Sequence, residues 1–115
     1  MRTSYARVDG SRPAPRGLQK VLLDDQIQHI IRRETSRADR TGRQFSVVLF
    51  RVKAGRRWSV SACRIARVLL KRVRQTDDVG WFDDRHLCAV LPETAATGAR
   101  VFATRACGED SRRTT

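Results

Sequence analysis

Residues 76–94, TDDVGWFDDRHLCAVLPET, constrain the fold more than any other part of the chain. Two short apolar or aromatic runs, Val79-Gly80-Trp81-Phe82 and Leu87-Cys88-Ala89-Val90-Leu91, flank Asp83-Asp84-Arg85. The pattern reads as a β-hairpin closed by an acidic turn, where such residues tolerate a positive φ. The second run is apolar at every position, as in a strand covered on both faces. Pro92 cannot donate to a ladder and ends that strand. Glu93-Thr94 then opens a helix, with Thr94 as its N-cap.

The segment upstream of the hairpin divides by the same rules. From residue 18 to about 40, Val21, Leu22, Ile27, Ile30, Ile31 and Ala38 recur at steps of three and four, the spacing of one buried helix face. Asp24 or Asp25 is an alternative, internal start for this helix. Gly42 suits the left-handed position that ends it. Residues 45–52, FSVVLFRV, form the strongest strand and are expected at the centre of the sheet. Residues 56–74 predict a second helix, with Trp58, Ala62, Ile65, Ala66, Leu69 and Val73 on one side and Arg57, Arg64, Arg67, Lys71 and Arg74 on the other. A last helix is expected over about 95–106. The order helix, strand, helix, strand, strand, helix predicts an α+β fold with an antiparallel-containing sheet and helices packed on one of its faces.

A chain of 115 residues has room for one small domain. Three parts are expected: a disordered basic arm over 1–17, broken by Pro13 and Pro15, a folded unit over 18–107, and a polar tail over 108–115. No apolar run approaches the roughly 20 residues that span a bilayer, and the N-terminus has no hydrophobic signal core. The odd number of cysteines (Cys63, Cys88, Cys107), without CxxC spacing, fits reduced thiols in a cytoplasm. The net charge of +12 points to an anionic partner, or equally to an arginine-rich codon bias, since only Lys20, Lys53 and Lys71 of 24 basic residues are lysine.

The basic helix face is either solvated surface or an anion-binding ridge of Arg57, Arg64, Arg67 and Lys71. As a nucleic-acid site the ridge lacks interleaved aromatics and any helix-turn-helix or RNA-binding signature, which argues against nucleic acid as a partner. His29 and His86 lie on different elements without ligand spacing, so no metal site is expected. Cys63 and Cys88 read as core residues and Trp81 as sheet packing. The acids Asp77, Asp78, Asp83 and Asp84 are explained by a turn and the start of a strand.

Over residues 19–106 the chain resembles the diguanylate cyclase (GGDEF) domain. The segments RRETSRADRTGRQFSVVLF and RQTDDVGWFDDRHLCAVLPETAATGARVFATRA carry the likeness. It implies a nucleotidyl-cyclase-like fold with a ferredoxin-like core, C-terminally short because the family continues with a further strand and helix. Aligned on Pro92, the family's signature loop falls on Asp83-Asp84-Arg85-His86-Leu87. Its two glycines, which admit the nucleotide, are replaced by Asp83 and Asp84. The loop's metal carboxylate is Arg85, the one at the end of the first strand is Arg51, and a nearby acid is Lys53. Divalent cations need oxygen ligands and a guanidinium offers none, so the resemblance implies a degenerate domain without enzymatic activity or cofactor.

The resemblance also implies one retained element. Arg74-Gln75-Thr76-Asp77 matches the family's Arg-x-x-Asp product site, five residues before the position of the glycine pair, and Arg105 aligns with a second arginine that completes it in some relatives. Guanidinium and carboxylate groups suit the phosphates and guanine edges of cyclic di-GMP. The competing reading is a local salt bridge at the end of the helix.

The leading expectation is a non-catalytic regulatory or protein-interaction module of a bacterial cytoplasm, in its sharpest form a cyclic di-GMP receptor through Arg74, Asp77 and Arg105. A homodimer or a protein partner is expected, because a missing C-terminal strand leaves an open sheet edge. The resemblance makes a sugar transferase of exopolysaccharide synthesis one such partner. The alternative is a basic protein that binds nucleic acid without sequence preference.

Overall fold

The computed structural model describes residues 14–52 and 57–114, with side chains to residue 108. The elements are α1 (Asp24–Thr41), β1 (Phe45–Arg51), α2 (Val60–Arg72), β2 (Asp78–Asp83), β3 (His86–Pro92) and α3 (Ala96–Thr114). The three strands form one antiparallel sheet in the order β1-β3-β2.

The centre of the sheet is therefore β3, and β1 is an edge, contrary to the expectation for residues 45–52. The reason lies in the side chains: every residue from Leu87 to Leu91 is buried, whereas Leu49 of β1 is 46% exposed. Only a strand with neighbours on both sides and both faces can hide five consecutive apolar residues.

Alternation along β3 sorts the core into two layers. Leu87, Ala89 and Leu91 join Phe50, Val79, Trp81 and the inner faces of α2 and α3. Cys88 and Val90 turn the other way and meet Ile27 of α1, with Phe45 and Val47 beside them. Helices thus cover both faces of the sheet rather than one. Burial pushes the Cys88 thiol up to about 12, so it is a core residue, as expected.

Several boundaries differ from the sequence expectation for local reasons. Helix α1 starts at Asp24, because the chain before it is used otherwise. Leu22 forms a parallel bridge to Gly80, donating to Val79 O at 2.9 Å and accepting from Trp81 N–H at 3.0 Å. Neither Asp24 nor Asp25 is the cap. Leu23 stands there, and its N–H donates to Gln26 Oε1 at 2.9 Å. Gly42, at φ 74°, ends the helix as expected.

Helix α2 starts at Val60, capped by Ser59, whose Oγ accepts from Ala62 N–H at 3.1 Å. Trp58 and Arg57 precede the helix. Helix α3 extends to Thr114 instead of stopping near 106. Thr94 is not its cap, since its hydroxyl donates to Pro92 O at 3.1 Å. Glu93 takes a positive φ of 53° and turns the chain out of β3. Most of the expected disordered arm, residues 1–13, lies outside the described residues. Its end belongs to the fold: Ala14 packs on the core and Leu18 N–H donates to Pro15 O at 3.0 Å.

Candidate functional site

The hairpin tip is tighter than its sequence suggested. A register shift between Trp81 and Asp83 places a bulge in β2, and Asp84-Arg85 form the turn. Both turn residues keep a negative φ, since Glu93 is the one non-glycine residue with a positive value among the described residues. The bulge supplies the twist that a positive φ would otherwise give. Asp83 fastens the tip: its Oδ1 accepts from Arg85 N–H at 2.8 Å and lies 2.8 Å from His86 Nδ1. These contacts hold the Asp83 carboxyl below the usual carboxylate range. Arg51 stands opposite His86 on the neighbouring strand, and Arg85 O accepts from Val52 N–H at 2.8 Å. Arg51 and Arg85 are both exposed.

Arg57 bridges this tip and the start of α1. Its guanidinium meets Asp24 Oδ1 at 2.6 Å and Asp24 Oδ2 at 2.9 Å. The same group reaches Asp84 Oδ1 at 2.7 Å and lies 5.0 Å above the Trp81 ring. Trp81 is fully buried, its Nε1 without a hydrogen-bond partner, and packs edge-on against Trp58 at 5.5 Å. Three segments distant in sequence are joined by one side chain. Periodicity placed Arg57 on an exposed helix face, whereas it points inward from the turn before the helix. The clue was available only as chemistry, a cation between two separated acids.

The Arg-x-x-Asp element forms the local salt bridge. Arg74 Nε and Nη2 donate to Asp77 Oδ2 and Oδ1 at 3.2 and 3.0 Å, and Arg74 N–H donates to Asp77 Oδ2 at 2.8 Å. Arg74 Nη2 also reaches Pro92 O at 3.1 Å and Thr94 Oγ1 at 2.9 Å. The Asp77 side chain is 3% exposed, and its hydrogen bonds push the Arg74 guanidinium above its ordinary value. Arg105 is exposed on α3 and has no polar partner among the described residues. It lies nine residues into the helix, about 14 Å along its axis, so the structure joins Arg74 to Asp77 but not to Arg105. Arg74→Ala is expected to lower the unfolding free energy by about 1–2 kcal/mol, after allowance for solvent screening. Denaturant titration checks this, and an unchanged midpoint would mean that Arg74 is free for a ligand.

The basic ridge loses Arg57 to the clamp, leaving Arg64, Arg67 and Lys71 on α2. Two acids near α1 show the cost of partial burial. Glu34 is buried and held by Arg37 at 3.1 Å, while burial pushes the Asp78 carboxyl up against the opposing pull of Arg33. Among the described residues no group of three or more His, Cys, Asp or Glu could hold a metal ion, and no helix is long and apolar enough to cross a membrane.

This architecture is that of the diguanylate cyclases. The chain superposes on a DGC protein from Thermotoga maritima with a TM-score of 0.67 and 18% identity, covering 79% of this chain and 71% of that one. It also superposes on the diguanylate cyclase SiaD of Pseudomonas aeruginosa, solved in complex with its activator SiaC, with a TM-score of 0.63 and 21% identity. That match covers 78% of this chain and 38% of SiaD. No model of a known protein family and no curated protein matches the sequence. The GGDEF-like fold expected from the hairpin is thus the observed one.

Proposed function

We propose that the chain is a non-catalytic regulatory or protein-interaction domain of a bacterial cytoplasm, built on the cyclase fold. The observation that carries this reading is the open edge of β1. Val52 N–H donates to Arg85 O, so alternation turns Phe50, Val48 and Ser46 toward β3 and leaves the N–H and C=O groups of Phe45, Val47, Leu49 and Arg51 facing outward. Among the described residues no strand pairs with them. Leu49 is half exposed on this edge, and β1 itself carries a single charge, Arg51, to discourage pairing. SiaD, with a similar fold, is engaged by a protein activator.

A second copy is the partner that the strand fits. An antiparallel pair centred on Val48 sets Val47 against the other copy's Leu49 and Phe45 against its Arg51, which aligns apolar contacts and one cation–π contact at each end. Light scattering at tens of micromolar is expected to give a dimer, and Leu49→Lys a monomer. A monodisperse wild-type monomer with cooperative unfolding would overturn this edge as an interface. A sugar transferase of exopolysaccharide synthesis as partner rests on the resemblance alone.

Non-catalysis is supported by the charges at the hairpin tip. Arg51 and Arg85 stand where the resemblance puts metal carboxylates, and Asp84 is already bound by Arg57. These groups do not fit a divalent cation. The cyclic di-GMP receptor reading requires Arg74 to leave Asp77 and the ligand to extend to Arg105. Calorimetric titration tests it: binding lost in both Arg74→Ala and Arg105→Ala would establish the receptor, and no heat with wild type would remove it.

A further inference from the structure

A shallow depression of about 350 Å³ lies at the start of α2, lined by Trp58, Val60, Cys63, Arg64 and Arg67. It is separate from the hairpin tip and from the Arg74 corner. Its volume falls within the range of small-molecule sites. Cys63 Sγ lies 3.7 Å from Trp58 O, tying the turn that carries the indole to the first turns of the helix. Trp58 packs edge-on against Trp81 and also lines the depression. Val60, 76% exposed, adds an apolar rim.

The two arginines are the unusual feature. Arg64 and Arg67 stand three residues apart on one face of α2, and neither has a polar partner among the described residues. Arg64 is only partly exposed. Asp24 and Asp84 are both held by Arg57.

We infer that this depression is a nucleotide site, in which Arg64 and Arg67 take a phosphate and the indole of Trp58 takes the base. Paired guanidiniums match phosphate oxygens bidentately, and an indole beside a cation stacks any base. The sequence pattern hid this arrangement, because it placed Trp58 on the buried side of the helix and left the ridge without an aromatic. The phosphate-bearing base could come from a free nucleotide or from a single strand, and both present the same chemistry. An acidic peptide would use the arginines but not the indole.

The test titrates the full chain at low salt with adenosine monophosphate, inorganic phosphate, oligothymidylate and a glutamate-rich peptide, followed by tryptophan fluorescence and calorimetry. Adenosine monophosphate or oligothymidylate is expected to quench Trp58, while Trp81, fully buried, is unaffected. Inorganic phosphate should bind roughly tenfold more weakly or worse, since stacking is lost. The Arg64→Gln/Arg67→Gln variant, altered only at the surface, should weaken binding by about tenfold or more, and Trp58→Phe should reduce the advantage of nucleotide over phosphate. Oligothymidylate binding that greatly exceeds the monophosphate, with a steep salt dependence, assigns the site to a single strand. Comparable binding of the two assigns it to a free nucleotide. Absence of quenching and heat up to about 1 mM ligand, equal binding by the arginine double variant, or equal binding of the peptide would overturn the inference.

Discussion

Gly80→Ala is expected to lower the unfolding free energy by about 2–3 kcal/mol, and the melting temperature by roughly 10 °C. Gly80 lies in β2, paired to Cys88 on one side and bridged to Leu22 on the other. A Cβ there would collide with Ile27 Cγ1, approach Ile27 Cδ1 to 2.6 Å and Leu22 O to 2.9 Å. Ile27 is fully buried between α1 and the sheet. Leu22 is fixed by its two backbone hydrogen bonds at 2.9 and 3.0 Å. The side chain would therefore part the segment before α1 from β2, and with it the layer formed by Ile27, Cys88 and Val90. Thermal and denaturant unfolding measure the effect. A melting temperature within a degree or two of wild type would mean that Leu22 is not held against the sheet.

The Gly80 contact illustrates which parts of the structure were legible beforehand. The hairpin, the fully apolar β3, the glycine stop of α1 and the cyclase-like fold could be read from residues 76–94 and their neighbours, because each depends on local pattern. The order of the strands could not. The β-branched run in β1 favours a strand without saying which neighbour it takes, and the burial of Leu87 to Leu91 decided the centre.

Helix ends followed capping chemistry where periodicity misplaced them. Ser59 starts α2 after Trp58 and Arg57, although the apolar spacing continued through Trp58. In α3 the apolar pattern fades after Ala106, yet the helix runs on to Thr114, through Gly108 and Asp110, which have low helix propensity. At the candidate site, Arg74 and Asp77 are close in sequence, so their pairing was open to a local reading. The Arg57 clamp joins residues 24, 57 and 84, and only the folded chain brings them together.

We propose that this cyclase-like fold lacks cyclase chemistry. Two arginines, Arg51 and Arg85, take the positions that the resemblance assigns to metal-binding carboxylates, and each repels a divalent cation. The neighbouring acid Asp84 accepts from Arg57 at 2.7 Å, and the same guanidinium holds Asp24 at the start of α1. In-line phosphoryl transfer assisted by two metals needs oxygen ligands around both ions, and a guanidinium supplies none. The most direct measurement is incubation of the purified protein with GTP and Mg²⁺ or Mn²⁺, with separation of the products. The account predicts no cyclic di-GMP above the protein-free blank. Product that scales with protein concentration and is abolished by Arg85→Ala or His86→Ala would contradict it.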